Sequence, residues 1–404
     1  MCFSDGDFMK QLTPKHKLKF YSVIALLTGF VVFIRIIGLL FRESLDISDF
    51  IIPWYNTLAE KGFSAFAQPF SNYTPPYLYL LWLITATQAF LPKAVAIKLL
   101  SIVFDIGNAL MIYKILKFDN PKSEETPYFG ALLFLALPTV FLNSSFWGQA
   151  DAIYTFFLLI SLYFLLQEHP SIAMIAVGVA FAFKAQAVFL APFLLLLTIN
   201  KRIPWYSYLL IPLVYLGMMM PAVMAGRPVG DLLGIYLNQA GTYRSLSMNA
   251  PNIYLLIPDT YYSDVVMIGA VTTGVIAVAW VIYYSQKMSN PSSAALILCA
   301  AVSAFMLPFF LPKMHERYFY LSDVLLFISA FYIPRFRFLS FISQVVSILT
   351  YSVFLFLNYD TSAALIDSFL LAAILGNFSL VVFVLLTQYK LIPSLQSNGS
   401  IADG

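Results

Sequence analysis

Long apolar runs separated by short polar joints occupy most of this chain. A helix needs about 20 mostly apolar residues to cross the hydrocarbon core of a bilayer. Hydropathy delimits twelve predicted spans, at 20–40, 94–113, 128–142, 150–166, 171–183, 187–199, 206–223, 264–285, 293–311, 320–333, 338–357 and 364–388. Because backbone polar groups in lipid must be satisfied within their own segment, such runs predict helices. The predicted fold class is all-α, a polytopic membrane protein with about 12 transmembrane helices.

The segment from Tyr77 to Leu91 is also apolar, and counting it as a crossing inverts every later loop. It follows Pro75 and Pro76, and we interpret it as an interfacial helix of the first outer loop. Positively charged loops then fall on the cytoplasmic side, as the positive-inside rule requires. The cytoplasmic basic residues are the N-terminal lysines, Lys114, Lys117, Lys122, Lys201, Arg202, Lys287, Arg335, Arg337 and Lys390. Both termini are therefore predicted to be cytoplasmic.

The chain is predicted to form a single integral membrane domain over 1–404. A cytoplasmic segment covers 1–19, the transmembrane part covers 20–388, and a polar cytoplasmic tail covers 389–404. No small-residue cleavage site follows the first apolar run, so we expect a retained first helix.

Composition supports a chain solvated mainly by lipid: 60% of residues are hydrophobic, 11% are charged, and the mean hydropathy is +0.82. The net charge of +3 is spread along the chain and offers no basic surface for nucleic acid. The sequence has no GxxxxGK[ST], HExxH, CxxC or GxSxG motif, so ATP-driven transport, zinc proteolysis and serine hydrolysis lack support. No cofactor is indicated, and dependence on a divalent metal stays open.

In this topology nearly all the unusual polar residues lie on one, non-cytoplasmic face. The outer segments are 41–93, 143–151, 184–186, 224–263 and 312–320. Because the opposite joints are short and merely basic, the asymmetry predicts a cavity that opens on the outer face.

The first outer loop carries two acids, Asp46 and Asp49, just beyond the first span. A carboxylate at this place can accept a proton from an acceptor hydroxyl. The alternative is a loop acid that caps the helix begun near Pro53. The Asn72–Tyr79 stretch, rich in Tyr and Pro, either forms a saccharide platform or belongs to an interfacial aromatic belt.

The WGQAD element, at 147–151, places Trp147 and Asp151 one helical turn apart. An indole, the Gln149 amide and a carboxylate together suit a sugar-hydroxyl site. An interfacial Trp beside a capping acid is the alternative.

Two lysines lie among apolar residues, where a cation needs a partner or an anion. Lys98 shares a helical face with Asp105 and either snorkels or meets a lipid phosphate, while a structural role for Asp105 stays equally open. Lys184, beside Gln186, separates two short spans. Either it binds a lipid-linked phosphate or it sits in an ordinary turn.

The densest group of charges is the segment Pro312–Tyr320. Arg317 and Lys313 can bind a phosphate, oriented by Glu316, and His315 can donate a further hydrogen bond. A solvated turn would favour small polar residues, whereas here aromatic residues follow at once.

These elements together resemble bacterial GT-C class glycosyltransferases, in particular mannosyltransferases related to the second mannosyltransferase of GPI-anchor synthesis. The resemblance covers about residues 20–330 and rests on YTPPYLYL, WGQAD, FKAQ, NAPN at 249–252 and MHERYFY. It implies a membrane glycosyltransferase that transfers a mannosyl or other hexosyl group, with inversion, from a polyprenyl-phosphate donor to a lipid or glycan acceptor. It also implies a bacterial inner membrane, with the site facing the periplasm or exterior.

The resemblance assigns Asp49 as general base, with Asp46 as the second candidate. It assigns the donor phosphate to Lys184, His315 and Arg317, to which Lys313 and Lys98 are added as candidates. The sugar or acceptor pocket comprises Trp147, Gln149, Asp151, Gln186, Asn249 and Asn252. The class often has two adjacent acids, whereas these two are three residues apart, so the choice of base stays open.

Two other functions use the same polar face. One is a transporter or flippase of lipid-linked saccharides, although WGQAD and MHERYFY have no counterpart in the other half of the chain. The other is a polymerase or ligase of lipid-linked saccharides.

Reporter fusions test the topology. We expect cytoplasmic signals from fusions near 120, 203, 288 and 336, and outer signals from fusions near 60, 147, 245 and 315. An outer signal near 120 would contradict the interfacial assignment of Tyr77 to Leu91.

Overall fold

The computed structural model describes residues 14–119, 125–288, 290–357 and 362–392. The helices are α1 (Pro14–Leu40), α2 (Ile52–Lys61), α3 (Pro75–Ile84), α4 (Lys93–Asp119), α5 (Glu125–Leu135), α6 (Pro138–Phe141), α7 (Asp151–Leu166), α8 (Pro170–Phe183), α9 (Ala191–Ile199), α10 (Leu210–Met224), α11 (Val229–Gly241), α12 (Tyr262–Ser285), α13 (Ser293–Phe310), α14 (Tyr320–Tyr332), α15 (Phe336–Leu355) and α16 (Ala363–Leu391). Two short strands, β1 (Ser247–Met248) and β2 (Met314–His315), pair in parallel. Most of the predicted terminal segments 1–19 and 389–404 lies outside the described residues.

The protein is an all-α, multi-pass integral membrane protein. Within the described ranges, seven helices are long and apolar enough to cross a bilayer. They are Leu18–Leu40, Lys93–Phe118, Trp205–Met224, Asp259–Ser285, Ser293–Phe310, Phe336–Leu355 and Ala363–Leu391. The pair Glu125–Leu135 and Pro138–Trp147, bent by 47° at its break, makes an eighth if it counts as one span.

The predicted count of twelve is not confirmed. The predicted spans at 150–166, 171–183, 187–199 and 320–333 correspond to shorter helical segments of the described chain, such as α7 with 16 residues and α14 with 13. At 1.5 Å per residue these two helices are about 24 and 20 Å long, against a hydrocarbon core of about 30 Å. Apolar helices buried among other helices have the same composition as lipid-facing ones, so hydropathy counts both.

The ambiguous segment after Pro75 forms a helix too short to cross. Helix α3 has ten residues and continues only through the 3-10 turn Thr85–Thr87. Its length of about 15 Å agrees with the interfacial interpretation. Thr74, just before it, donates to the carbonyl of Ala182 at 2.7 Å and so ties the outer loop to the end of α8.

One pair of opposite charges, Arg35 and Asp105, is buried inside the bundle. The Arg35 guanidinium on α1 lies 2.5 Å from a carboxylate oxygen of Asp105 on α4, which also accepts from the Tyr320 hydroxyl at 3.2 Å. Asp105 is completely buried, and its contacts support a structural role for this acid. An unmatched charge at this depth would cost several kcal/mol, roughly.

Removing one partner of this pair should therefore unfold the protein more readily. We expect Arg35→Met to lower the free energy of unfolding by about 3–5 kcal/mol, because it leaves Asp105 buried and unpaired. Unfolding in mixed detergent and dodecyl sulfate micelles measures the change. The double variant Arg35→Met, Asp105→Leu should recover part of the loss, and no recovery would contradict the role of the pair.

Candidate functional site

A cavity of about 400 Å³ opens among the polar segments that the sequence places on one face. All five predicted outer segments contribute to its wall, through residues such as Asp46, Gln149, Lys184, Tyr236 and Arg317. The predicted convergence of these segments around one cavity is confirmed. Which side of the membrane the cavity faces stays a prediction.

The WGQAD turn forms the inner part of the site. A π-helical segment, Leu142–Trp147, ends at Gly148, whose φ of +78° lies in the left-handed region. A Cβ at Gly148 would lie 2.6 Å from Ile47 Cδ1, so glycine fits both the turn and the close approach. The chain then enters α7 with Asp151 as its first residue.

Asp46 lines the cavity and is held by this turn. Its Oδ2 accepts from Trp147 Nε1 at 2.8 Å and from Gln149 Nε2. Trp147 is itself completely buried and stacks on Phe354 at 4.3 Å between ring centroids. Trp147 therefore positions Asp46 from behind the wall and is not among the lining residues, which corrects the expectation that it lines the pocket.

Asp151 also lies behind the wall, contrary to expectation. Its side chain is completely buried, and its oxygens contact Lys184 Nζ at 2.7 Å and Asn143 Nδ2 at 2.9 Å. Lys184 does line the cavity, with its ammonium 5.7 Å from the centre of the Tyr73 ring. Lys184 is thus a cavity cation with its counterion fixed behind it.

Arg317 lies between the two carboxylates. Its Nη1 is 3.8 Å from Asp46 and its Nε is 3.8 Å from Asp151, both beyond hydrogen-bond distance. Its Nε is buried and makes no hydrogen bond within the described part of the chain. The guanidinium also lies 5.8 Å from the Trp147 ring. Burial alone would lower the Arg317 pKa, but the nearby carboxylates of Asp46 and Asp151 help to raise it above its usual value, so the side chain stays charged.

The β1–β2 pairing brings the segment after α13 to the cavity. His315 lines the cavity and pairs with Met248, and the Lys313 backbone N–H donates to the Leu246 carbonyl at 2.7 Å. The Lys313 ammonium, also lining, donates to the Tyr243 carbonyl at 2.6 Å. Burial, together with the nearby cations, lowers the His315 pKa to about 2, so the ring is neutral near pH 7.

Glu316 does not line the cavity. Its carboxylate is buried, 3.9 Å from His315 Nδ1, and burial raises its pKa to about 7 against the opposing effect of Arg317. The acid is therefore a buried neighbour of the cations, half protonated near neutral pH.

Four further residues named from the sequence, Asp49, Lys98, Asn249 and Asn252, also lie outside the cavity wall. Asp49 is exposed and accepts from the Ser48 hydroxyl at 2.8 Å. Lys98 is buried and donates to the carbonyls of Gly38 and Phe41, at 3.0 and 2.9 Å, at the end of the first span. These placements correct the first choice of base and the phosphate candidate Lys98.

The two asparagines of NAPN have backbone roles. Asn252 is buried and joins the start of a 3-10 turn to the carbonyls of Pro308 and Leu311. Asn249 has a φ of +55° and forms an isolated bridge with His315. Neither lines the cavity, whereas Gln149 and Gln186 do.

Sequence reasoning missed one wall of the cavity. Tyr236, Gln239, Ala240 and Tyr243 line it from α11 and the turn after it. Their spacing of three, four and seven residues is the signal of one helical face, which a search for polar motifs does not detect. The described residues contain no group of three or more His, Cys, Asp or Glu side chains arranged to hold a metal.

Comparison with known families adds one match. Residues 52–225, less than half of the chain, match the model of the family described as GPI transamidase subunit PIG-U. No curated protein matches the sequence significantly. This family and the mannosyltransferases that the motifs resemble are both connected with the GPI pathway. A transamidase subunit, however, is not a glycosyltransferase. The prediction of a hexosyl-transferring enzyme was therefore wrong, and the general-base role of Asp49 or Asp46 falls with it.

The buried acid Glu316 generates a pH prediction. Between its ordinary pKa of 4.5 and about 7, the folded protein holds a proton on Glu316 that the unfolded chain releases, so this group stabilises less as pH rises. Glu316→Gln should remove that loss and make the slope of unfolding free energy against pH more positive, by up to about 1.4 kcal/mol per pH unit. Unfolding titrations at pH 5, 6 and 7 measure it.

Glu168→Gln is the matched control, because the Glu168 side chain is 78% exposed. Its slope should equal that of the unaltered protein. The lowered pKa of His315 makes its contribution to stability increase with pH. This contribution is the same in Glu316→Gln and in Glu168→Gln, so it cancels from the comparison. An unchanged slope in Glu316→Gln would show that Glu316 is not protonated in this range.

Proposed function

We propose that this protein recognises a lipid-linked glycan through a phosphate and adjoining sugar, in the cavity around Arg317, on the non-cytoplasmic face of the membrane. In this proposal it is a binding component of glycolipid processing. The partial match to a GPI transamidase subunit family supports a role of this kind.

The observation that carries the proposal is the state of Arg317. The guanidinium borders the cavity, two carboxylates hold it at 3.8 Å, and its buried Nε donor makes no hydrogen bond among the described residues. A buried unsatisfied donor costs roughly 1–3 kcal/mol, so an arriving acceptor gains from it. Phosphate oxygens bind a guanidinium with two parallel hydrogen bonds, which suits this place.

The charge balance also favours an anion. Three cations, Lys184, Lys313 and Arg317, line the cavity against one lining carboxylate, Asp46. Asp151 neutralises Lys184 from behind, which leaves one positive charge in excess when the neighbouring Glu316 is protonated. A phosphodiester with a single negative charge fits this balance.

The walls suit a sugar beside the phosphate. Aromatic rings from Trp54, Tyr73 and Tyr318 line the cavity with the amides of Gln149 and Gln186. Amide groups both donate to and accept from hydroxyls, and aromatic walls with few fixed polar groups are typical of small-ligand sites. Two lipid carriers share this chemistry, a polyprenyl phosphate and a phosphatidylinositol.

Loss of the Arg317 charge should weaken binding of a phosphate-bearing glycolipid. We expect Arg317→Gln to raise the Kd by about 10- to 150-fold, because a hydrogen bond to a charged group contributes about 1.5–3 kcal/mol. Purified protein in nanodiscs is titrated with two probes, mannosyl phosphatidylinositol and polyprenyl-phosphate mannose. The tighter probe identifies the carrier.

Arg202→Gln is the matched control, since Arg202 lies outside the cavity and pairs with the exposed Glu168 at 3.7 Å. Its Kd should be unchanged. Equal affinity of Arg317→Gln and Arg202→Gln for both probes would overturn the phosphate role. If phosphatidylinositol without a mannose binds as tightly as mannosyl phosphatidylinositol, the cavity does not recognise the glycan, and that part of the proposal is wrong.

A further inference from the structure

A second cleft, of about 270 Å³, has a lining separate from that of the first site. The cleft is formed where α12 and α16 end, and it is lined by Tyr283, Tyr284, Lys287, Tyr389, Lys390 and Ile392. Tyr283 and Tyr389 stack across it, with ring centroids 6.3 Å apart and planes 20° apart. Lys287 lies 5.9 Å from the centre of the Tyr283 ring.

The two helix ends are fixed against each other, so the cleft is a built feature of the fold. Trp280 Nε1 on α12 donates to Gln388 Oε1 on α16 at 3.0 Å. Gln388 Nε2 in turn contacts the Cys299 sulfur on α13 at 3.3 Å. Tyr284 and Ile392, with 5% and 1% of their surface exposed, provide a closed apolar floor.

The rim is cationic. Lys287 and Lys390 bring two positive charges to the rim, and the lining residues in the described part of the chain include no acidic side chain. Both lysines and both stacked tyrosines are exposed. Lysine and tyrosine at the end of a membrane span are typical of the headgroup region of a bilayer.

The surface that adjoins the cleft along the same helices is apolar and lipid-facing. Ile282, Phe383 and Leu386 are 52%, 53% and 51% exposed. The spans that carry them bury only 22% and 33% of their most apolar windows within the protein. A molecule with a polar head in the cleft would therefore lay its acyl chains on these side chains.

We propose that this cleft binds the phosphate headgroup of an anionic membrane phospholipid. Basic pockets between transmembrane helices bind anionic headgroups, and each lysine near an anionic lipid surface contributes about a fivefold gain in affinity. The stacked tyrosines close the sides of the cleft, and the acyl chains follow the apolar faces of α12 and α16. The site is separate from the cavity around Arg317 and shares no lining residue with it.

Mass spectrometry of the intact protein released from detergent micelles tests the site. The probes are palmitoyl-oleoyl phosphatidylglycerol and the phosphatidylcholine with the same chains. We expect the protein to retain phosphatidylglycerol in preference to phosphatidylcholine. The double variant Lys287→Gln, Lys390→Gln should lower that preference by about thirtyfold, the combined effect of two lysines.

The matched control is Lys114→Gln, Lys117→Gln. These two lysines also lie over tyrosine rings, Tyr163 at 6.0 Å and Tyr113 at 5.5 Å, but do not line the cleft. The control should keep the full preference. Tyr389→Leu preserves the apolar surface while removing the stacked ring, and should lower the preference without changing phosphatidylcholine retention.

Equal preference in the cleft variant and in the control would overturn the proposal. Displacement of phosphatidylglycerol by an equal concentration of glycerol phosphate would also overturn it, because the ligand would then be a free phosphate. Unfolding midpoints of both double variants, measured in the same detergent, verify that each is folded.

Discussion

Matching buried charge in an apolar bundle is the constraint on which the rest of this structure depends. Each ionised group that leaves water for a low-dielectric interior carries a penalty of several kcal/mol, roughly. Asp105 and Arg35 satisfy it by pairing across α1 and α4, and Lys98 satisfies it with backbone carbonyls at the end of α1. These interactions fix the first spans against each other, and a second group of charges, with Lys184 and Arg317, surrounds the cavity.

Around that cavity the same constraint is met only in part. Lys184 has a short contact to Asp151, whereas Arg317 lies 3.8 Å from each of two carboxylates and keeps a buried donor unsatisfied. The wall of the cavity therefore holds opposite charges close together, and Arg317 is the cation among them that keeps an unsatisfied donor. A buried cation that borders a cavity and keeps an unsatisfied donor is suited to bind an anion there.

The sequence predicted the all-α membrane fold class, because apolar length is a local property, and it grouped the polar segments that line the cavity. It did not predict the number of crossings, since buried helices such as α14 are as apolar as lipid-facing ones. It also placed Trp147 and Asp151 in the pocket, although both lie behind the wall. Residue types at adequate spacing show which side chains are near a site, but only packing decides which of them reaches its surface.

The misplaced residues explain why the motif resemblance pointed to the wrong chemistry. Asp49 has the residue type of a base and is exposed beside Ser48, whereas Asp46 faces the cavity but is committed to Trp147, Gln149 and Arg317. Two hydrogen-bond donors, Trp147 and Gln149, fix the Asp46 carboxylate 3.8 Å from the Arg317 guanidinium, where it is placed to position that cation. The same acidic loop therefore fits a site that binds a charged glycolipid without requiring that it transfer a sugar.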